Sequence, residues 1–444
     1  MNEARVDVAV IGGGLAGLAA AAEAAAAGSR VALLEGHQLG GRARADERGG
    51  FTFNRGPRAL YLGGIGTQIL GSFGIQPAGG KPPIKGATGV RDGRLGLLPG
   101  GPWSLLRTDL LKARSKVAVG RYLARLPRLR PQDHAGESVD EWLEGTGLPA
   151  DGADLVQLLV RVATYVNDPS RMSAEVAIGQ VQLALGKGVL YLDGGFQQLV
   201  DKLAEVARQR GAALQVDTPV RSLTAEGDRF LVDLGGDSRL TAGAVVVAAG
   251  SPAAAAAVTH PTEAVPASWT ELGPAATAAC LELGLRAPAR TTTAFGVDQP
   301  VYLNHHAPPA KALAPEGKAM VHVLRYQEPG HAASPEQDRD ELRQVAALVG
   351  IEKDRIEEER FLRRMVVNGG YPLAVEGGLS TRPPVSVEDR PGLFVAGDWV
   401  GPTGFLADAA LASGVQAGRQ AAAMSTKDMS TKETAGWRPE VAAR

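Results

Sequence analysis

A glycine-rich turn near residue 12 has the spacing required to bind a diphosphate. Gly12, Gly14 and Gly17 form a G-x-G-x-x-G pattern between an apolar run, 6–11, and an alanine-rich segment that Gly28 ends. The first glycine of such a pattern permits a tight turn, the second lets the backbone approach a pyrophosphate, and the third lets helix and strand pack closely. The free N–H groups and the dipole of the following helix favour the anion. We therefore expect a dinucleotide to contact the whole turn: Gly12, Gly13, Gly14, Leu15, Ala16 and Gly17.

An acidic residue stands where the ribose of that dinucleotide would lie. Glu35 directly follows a second β-like run, residues 30–34, and lies 18 residues after Gly17. A carboxylate in this place accepts hydrogen bonds from the ribose hydroxyls and disfavours a 2′-phosphate. The two runs and the helix between them predict a βαβ unit of about 30 residues.

Further segments distinguish FAD from NAD. They are Gly40-Gly41-Arg42, residues 53–57, residues 392–398 and residues 404–414. Together with the glycine turn, they resemble the FAD-dependent superfamily of amine oxidases, protoporphyrinogen oxidases and phytoene desaturases, and within it the phytoene-desaturase-related branch. The resemblance is specific because separated segments agree in order and spacing and together cover most of the chain.

The resemblance implies a non-covalent FAD and a role for each motif. Arg42 and the Gly40-Gly41 turn would contact the diphosphate, and Asp398 would bind the ribityl hydroxyls. The start of a helix at 404–414 would face the pyrimidine edge of the flavin, where its dipole stabilises negative charge. Further FAD contacts would come from Gly56, Pro57, Val220, Gly250, Gly397, Gly404 and Phe405.

The resemblance also implies which side chains border the flavin. Beside Pro57, four residues would face it: Arg58, Tyr61, Trp399 and Phe405. Aromatic residues beside such motifs are about as often ordinary packing, and no general base is assigned, so the catalytic residues stay unknown. The sequence has no clear counterpart of the lysine that amine oxidases place beneath the flavin, and its single cysteine, Cys280, lies far from the C-terminal motif. Both points weigh against a typical monoamine oxidase.

These features predict an FAD-dependent oxidoreductase. We expect a dehydrogenase, desaturase or oxidase that removes a hydride equivalent from an apolar small molecule, of isoprenoid or carotenoid type. The sequence has no second G-x-G-x-x-G at a strand–helix junction, so the expected electron acceptor is dioxygen, a quinone or an unknown protein. A flavin amine oxidase or a protoporphyrinogen-type oxidase is the first alternative. A non-redox FAD-dependent isomerase and a non-catalytic prenyl carrier are further alternatives.

Positioning these motifs requires an α/β fold with two interleaved domains. A doubly wound, Rossmann-like FAD domain is expected over 1–75, 190–250 and 385–424. An α+β substrate domain is expected over 76–189 and 251–384. Ligands of such folds bind at the carboxyl ends of the strands, where the domains meet.

The substrate domain is predicted to combine helices with an antiparallel sheet. Its first part shows helical patterns over 103–126, 138–145 and around 153–165, with no alternating strand signal. Alternation of polar and apolar residues over 270–330 and 355–370 predicts the sheet.

Local signals mark the last elements of the chain. Ser334, Pro335 and Gln337 form an N-cap, a first-turn proline and a capping box, which predict the start of a helix. A final helix is expected over 404–423. The polar tail after it, 425–444, contains a repeated M-S-T-K and is expected to be disordered.

The charge of the chain is balanced except in one segment. The 47 basic and 48 acidic residues give no support for nucleic-acid binding. Residues 105–130, however, carry eight basic side chains against Asp109 alone, among leucines and valines. This segment is either an amphipathic helix that contacts a membrane or a helical cap with a solvated basic face. We favour the cap.

Composition sets further limits. The seven histidines have no zinc-type spacing, so no metal site is expected. Cys280 cannot form an intramolecular disulfide, which fits a reducing compartment. Because no uninterrupted apolar run approaches the roughly 20 residues that span a bilayer, we expect a cytoplasmic protein, with peripheral membrane contact as the alternative. The sequence predicts no oligomeric state.

Overall fold

The computed structural model describes residues 4–83, 86–236, 238–259 and 265–428. The strands in these ranges are, in chain order, β1 Ala4–Ile11, β2 Val31–Leu34, β3 Asp46–Arg48, β4 Phe51–Phe53, β5 Leu60–Tyr61, β6 Gly79–Gly80, β7 Thr88–Arg91, β8 Arg94–Leu97, β9 Val189–Leu192, β10 Ala213–Gln215, β11 Ser222–Glu226, β12 Arg229–Gly235, β13 Ser238–Val247, β14 Ala276–Leu285, β15 Thr293–Gly296, β16 Val301–His305, β17 Ala319–Gln327, β18 Ile356–Asn368 and β19 Leu393–Val395. The α-helices are α1 Leu15–Ala26, α2 Ile65–Ser72, α3 Pro102–Arg107, α4 Ala113–Arg125, α5 Val139–Gly145, α6 Ala150–Thr164, α7 Ala174–Leu185, α8 Gln197–Gln209, α9 Pro252–Thr259, α10 Ala267–Thr270, α11 Pro335–Leu348 and α12 Leu406–Asp428.

A seven-stranded sheet carries the N-terminal motif. Its order is β10-β2-β1-β13-β12-β11, and β19 also pairs with β13. The pairs among β10, β2, β1, β13 and β19 are parallel, whereas β11 and β12 are antiparallel. The carboxyl ends of β1, β2 and β13 meet because Ile11 is in register with both Leu34 and Val247. Such an edge is where ligands bind in doubly wound sheets.

Helix α12 packs unusually close to α1. A Cβ on Gly414 would collide with the backbone carbonyl of Ala16, and one on Gly418 would collide with that of Ala20. The alanines of α1 from Ala16 to Ala25 are buried, and α12 contributes to this burial together with α8 and the parallel sheet. The glycine and alanine content of both helices therefore allows their backbones to approach, and both helices also contact strands of the parallel sheet.

A second seven-stranded sheet has the order β18-β14-β17-β16-β15-β7-β8. All its pairs are antiparallel except β15 with β7. Alternate residues face opposite sides, so Leu281, Val323 and Leu303 pack with Leu342 of α11. The expected sheet over 270–330 and 355–370 is thus present. The first part of the substrate domain shows no alternating strand signal in the sequence but contains β7 and β8, because these four-residue strands are too short to show alternation.

Two expected elements differ in extent. The helix predicted over 103–126 is divided into α3 and α4. The division occurs because Leu110 and Leu111, which lie between the two helices, are buried in two separate apolar clusters. The last helix extends to Asp428 rather than 423, so the start of the expected disordered tail is helical. Residues 429–444 lie outside the described residues.

Candidate functional site

A cavity of about 1220 Å³ lies between the carboxyl edge of the parallel sheet, the second sheet and helices α6 and α7. This volume exceeds the roughly 300–1,000 Å³ typical of pockets for one small ligand. Twelve of the predicted cofactor-binding residues line it: Gly12, Gly14, Leu15, Ala16, Glu35, Gly40, Gly41, Arg42, Pro57, Val220, Gly250 and Asp398. Much of the remaining wall is apolar, so the cavity has room for a dinucleotide and a second, apolar molecule.

The glycine turn leaves space where the sequence predicts a diphosphate. A Cβ on Gly14 would meet nothing within 4 Å, whereas one on Gly12 or Gly17 would collide with a backbone carbonyl. Among the described residues no side chain caps the first turn of α1, so its N–H groups are available to a ligand. The Gly40-Gly41 turn closes this space because the Gly40 N–H donates to the Gly13 carbonyl at 2.8 Å. These features fit a diphosphate.

The Glu35 carboxylate stabilises the glycine turn and also lines the cavity. Its Oε2 accepts a hydrogen bond from the Gly13 N–H at 2.7 Å, and its Oε1 accepts one from the His37 N–H at 3.0 Å. A carboxylate has about four acceptor sites, so capacity for ribose hydroxyls remains. Val220 also lines the cavity, so it is available for the FAD contact that the resemblance implies.

Arg42 and Asp398 pair with each other across the cavity wall. The two Nη atoms of Arg42 donate to the two carboxylate oxygens, both at 2.7 Å, and also to the carbonyls of Val367 and Gly250. Asp398 accepts a further hydrogen bond from the Gly369 N–H at 3.1 Å. Only Nε of Arg42 has no part in these contacts. The sequence had assigned the two residues to different parts of FAD, and their mutual pairing adds a role in joining the glycine turn to the C-terminal motif.

Arg382 is a buried residue that the sequence analysis missed. Its guanidinium donates to the backbone carbonyls of Asp398 and Gly404, at 3.0 and 2.8 Å. Burial lowers the pKa of Arg382 to about 10, with Asp398 opposing this shift. It therefore fixes the loop between β19 and α12. An isolated arginine before two prolines carries no motif, so no local signal identifies it.

Arg58 is a cavity-lining cation without a carboxylate hydrogen-bond partner among the described residues. Its Nε and Nη2 donate to the backbone carbonyls of Asn54 and Arg55, at 3.1 and 3.3 Å. Burial, and then the positive charge of Arg42, lowers the pKa of Arg58 to about 10. The guanidinium therefore stays charged at neutral pH and gives this part of the cavity a positive potential.

Several predicted residues lie behind the wall rather than in it: Gly13, Gly17, Gly56, Gly397, Gly404, Phe405 and Trp399. Trp399 is fully buried and packs edge-on against Trp269, with ring centroids 5.2 Å apart. Phe405 is buried in the helical cluster around Trp142. Of the four side chains expected to face the flavin, Arg58 and Tyr61 line the cavity and the two C-terminal aromatics support it.

The second sheet places a row of polar residues beneath the cavity. Arg360, Glu282, His322, Asn304 and Thr293 are cross-strand neighbours on five adjacent strands. The Glu282 carboxylate lies 2.5 Å from Nε of Arg360 and 3.3 Å from Nε2 of His322. It also accepts a hydrogen bond from the backbone N–H of Gly56 at 2.8 Å. Burial would raise the pKa of Glu282, but His322 and Arg360 hold it at about 2. The row ends in the cavity at Asn304 and Thr293.

The remaining wall is mostly apolar and aromatic. Helices α6 and α7 and the β8 region contribute leucine, valine and alanine side chains, among them Leu98, Leu155, Leu158, Leu159, Val162, Val181 and Ala184. Four tyrosines complete it: Tyr61, Tyr165, Tyr191 and Tyr302. The hydroxyl of Tyr61 donates to the Ala163 carbonyl at 2.7 Å, and that of Tyr165 donates to the Pro57 carbonyl at 3.2 Å. These two hydroxyls are therefore engaged.

The cavity wall reaches solvent beside helices α3 and α4. Its exposed residues include 100–101 and 185–187. Nearby elements expose large apolar side chains: Trp103, Leu106, Val117 and Leu185 are 77%, 62%, 58% and 52% exposed. By contrast, Leu110, Val119 and Leu126 of the basic segment are buried. None of the described helices combines the length and apolarity needed to cross a bilayer.

Comparisons with known proteins agree with this architecture. The model of the family "Flavin containing amine oxidoreductase" matches residues 15–422. The chain belongs to this family. The expectations of the FAD-dependent superfamily, an α/β fold, an FAD cofactor and an oxidoreductase are confirmed at the level of the family.

The matches to individual proteins cover less of the chain or have low sequence identity. The chain is 44% identical to a carotenoid 3,4-desaturase of Haloarcula japonica over 72 residues, which are 16% of this chain and 14% of the relative. It is 28% identical to a phytoene dehydrogenase of Streptomyces griseus over 272 residues, 54% of this chain and 53% of the relative. The matches thus span about half the length of the relative, or less. A solved triple mutant of putrescine oxidase has the same fold, with a TM-score of 0.74, 17% identity and 96% and 100% of the two chains covered.

Proposed function

We propose that the protein is an FAD-dependent dehydrogenase that introduces a double bond into an elongated, apolar substrate of isoprenoid type. The observation that carries this proposal is the single continuous cavity, whose glycine-rich part fits a dinucleotide and whose other part is lined by leucine, valine and tyrosine side chains. Such a wall excludes water and stabilises an apolar molecule in proportion to the area it buries.

The charges of the cavity favour an uncharged substrate over an amine. Among the described residues the carboxylates in the wall are those of Glu35, Asp398 and Asp408, and each already accepts a hydrogen bond from the protein. Arg58 adds a positive charge that would repel an ammonium group. The wall lysines, Lys81 and Lys187, are exposed to solvent, so neither is a buried counterpart of the amine oxidase lysine.

The residues of the cavity orient and protect the reacting groups. When bound, FAD supplies the two-electron acceptor for the hydride equivalent. Arg58 and the N-terminus of α12, whose residues Leu406 and Ala407 line the cavity, would stabilise negative charge that develops there. The aromatic side chains of Tyr61 and Tyr165, whose hydroxyls are held by backbone carbonyls, present their rings to the substrate and keep the site dry. Dioxygen, a quinone or a partner protein would reoxidise the cofactor.

The opening suits entry of a lipid-soluble substrate from a membrane surface. Exposed apolar side chains on α3, α4 and at Leu185 lie beside the exposed part of the wall, and α4 and the turn after it carry exposed basic residues. Basic residues attract anionic lipid head groups, and exposed apolar side chains insert at the interface. The basic segment would therefore act as a docking surface around the entrance, formed by two short helices rather than by one long helix.

Anaerobic reduction of the holoenzyme tests the proposed reaction. The purified protein should be yellow, and its visible flavin absorbance should bleach with a linear isoprenoid hydrocarbon but not with a primary amine or a porphyrinogen. Bleaching by the amine or the porphyrinogen alone would replace the proposal with the corresponding oxidase. Conversion of the isoprenoid without net bleaching would indicate an isomerase, and a protein that binds prenyl compounds but cannot be reconstituted with FAD would be a carrier.

A further inference from the structure

A cluster of hydrogen-bonding groups interrupts the otherwise apolar part of the cavity. Tyr302 and Asn304 project from the same face of β16, and Tyr191 reaches them from β9. All three line the cavity, yet each side chain is at most 4% exposed. Buried polar groups are costly unless they are paired, so their hydrogen bonds must be accounted for individually.

One acceptor of the cluster has no partner. The amide nitrogen of Asn304 donates to the Tyr191 hydroxyl oxygen at 2.6 Å, but Asn304 Oδ1 accepts no hydrogen bond from any described residue. Buried acceptors left without a donor are uncommon in folded proteins and cost free energy. Because Asn304 lines the cavity, a donor on a bound molecule is the available way to satisfy this oxygen.

One donor of the cluster is also left over. The Asn304 amide nitrogen donates to the Tyr191 oxygen, so this nitrogen cannot also accept the Tyr191 hydroxyl proton. The remaining acceptor is the Tyr302 oxygen, at a long 3.4 Å. Tyr302 itself is 3.0 Å from Nε2 of His306. Burial, with the nearby His322 and His305, lowers the pKa of His306 well below its usual range, so the ring is neutral.

The Tyr191 hydroxyl lacks a good acceptor for its proton in either tautomer of His306. If Nε2 accepts from Tyr302, the Tyr191 hydroxyl has only the long contact to the Tyr302 oxygen. If Nε2 carries the proton and donates it to Tyr302, the Tyr302 hydroxyl points to the Tyr191 oxygen and the Tyr191 proton has no acceptor in the cluster. In both cases the cluster offers the cavity one donor, Tyr191 O–H, and one acceptor, Asn304 Oδ1.

A hydroxyl group both donates and accepts, and therefore complements these two atoms. We propose that Tyr191 and Asn304 bind a hydroxyl group carried by the substrate, so that the substrate class is an isoprenoid alcohol rather than a pure hydrocarbon. This inference rests on the proposed function, since it specifies the polar end of the same apolar substrate. Tyr302 and His306 hold the two binding groups in place: His306 stacks on the Tyr191 ring with centroids 3.9 Å apart.

Paired ligands can test this assignment with the holoenzyme. The probes are geranylgeraniol and the hydrocarbon in which its CH₂OH group is replaced by CH₃. They are titrated anaerobically into detergent-solubilised protein whose flavin has first been reduced with dithionite, so that no turnover occurs, while the spectrum of the reduced flavin is followed. The measured quantity is the ratio of the two dissociation constants. Partition of each probe into detergent is the same for every variant, so it cancels when ratios are compared between variants.

The ratio of the hydrocarbon dissociation constant to the alcohol dissociation constant is expected to be about tenfold higher for the wild type than for the variants. An effect of about this size is typical when the loss of a hydrogen bond leaves a buried group without a partner. Asn304→Leu and Tyr191→Phe should each remove this preference and leave the affinity for the hydrocarbon within about twofold. Tyr326→Phe is the matched control, because the Tyr326 hydroxyl is buried on the same sheet, has no hydrogen-bond partner among the described residues and does not line the cavity.

The possible outcomes separate the two proposals. Equal ratios in the wild type and both variants would overturn the hydroxyl site while leaving an apolar substrate intact. Failure of both probes to perturb the flavin or to bind would overturn the proposed isoprenoid function and, with it, this inference. Because Tyr191→Phe removes one oxygen atom and keeps the ring stacked on His306, it provides the result if Asn304→Leu does not fold.

Discussion

Arg42 and Asp398 lie 356 positions apart and form a two-contact ion pair, with Nη1 to Oδ2 and Nη2 to Oδ1 both at 2.7 Å. Burial by itself lowers the pKa of Arg42, but the Asp398 carboxylate outweighs it and raises that pKa above its usual value. The pair joins the turn after β2 to the loop after β19. One planar contact therefore joins the two segments that are proposed to bind the diphosphate and the ribityl chain of FAD.

Replacing Asp398 should release FAD and loosen this junction. Asp398→Ala leaves the Arg42 guanidinium partly buried without its anion, which should lower the free energy of unfolding by about 1–3 kcal/mol. The measurements are the flavin-to-protein ratio after purification and the thermal midpoint. Asp133→Ala, at an exposed position, is the control. Full flavin occupancy in Asp398→Ala would contradict a role for this carboxylate in the FAD site.

Two glycines of the same turn should respond differently to substitution. A valine side chain at Gly14 enters open space in the cavity, so Gly14→Val should fold like the apoprotein and lose FAD. Gly17→Ala forces a Cβ against the Gly12 carbonyl and should destabilise the apoprotein itself, by about 1–3 kcal/mol. Flavin content and chemical denaturation of the apo forms measure both effects. If Gly14→Val retains FAD, the diphosphate does not lie at this turn.

The docking surface should respond to charge reversal. Arg121, Arg125 and Arg128 are exposed on α4 and the turn after it, and their change to Glu should abolish co-sedimentation with vesicles that contain anionic lipid. Binding by the wild type should weaken as salt is added, because surface charges are screened.

A matched variant controls for net charge in this experiment. Arg221, Arg229 and Arg239 are exposed at the β11–β13 edge of the parallel sheet, and their change to Glu should leave vesicle binding intact. Equal loss in both triple variants would indicate a general charge effect. Absence of wild-type binding to anionic vesicles would leave the basic segment as a solvated helical cap.

Asp408 should make stability depend on pH. Burial raises the pKa of this carboxyl from 3.8 to about 6, although the N–H groups of Gly66 and Ile65 oppose the shift. The folded protein therefore binds the proton more tightly than the unfolded chain, and the contribution of Asp408 to the free energy of unfolding falls as pH rises from about 4 to about 6. Above that range it stays constant.

Asp408→Asn should remove this dependence. The variant should gain about 1–3 kcal/mol relative to the wild type at pH 8 and nothing at pH 3.5, because the neutral amide carries no charge to desolvate. Thermal midpoints of both proteins across this pH range are the measurement. A wild type that loses no more stability than the variant between pH 4 and 6 would mean that Asp408 ionises at its ordinary pKa.

Features encoded by neighbouring residues were predictable from the sequence. The glycine spacing identified the strand, turn and helix around Gly14, and Ser334 and Gln337 form the expected capping box at the start of α11. These signals depend on backbone hydrogen bonds within a few residues. Alternation likewise revealed the longer strands of the second sheet, where one face packs on α11 and the other faces the cavity.

Features that depend on distant parts of the chain were not predictable. The pairing of β7 with β15 places Gly89 beside Phe295, and neither short strand shows a periodic pattern. The Tyr191–Asn304 contact and the bracing by Arg382 arise only once the sheets and helices are packed. Trp399 and Phe405 are a further example, because their position beside a motif gives no sign that they are buried behind the cavity wall.

The close contact between α1 and α12 has a consequence for biosynthesis. Helix α1 is complete after residue 26, but α12, whose glycines pack against it, begins only at residue 406. At about 5–20 residues per second, ribosomes would need on the order of 20 to 80 seconds to supply it. During that time the alanine-rich face of α1 lacks the contact with α12, so this part of the core stays incomplete until the last helix emerges.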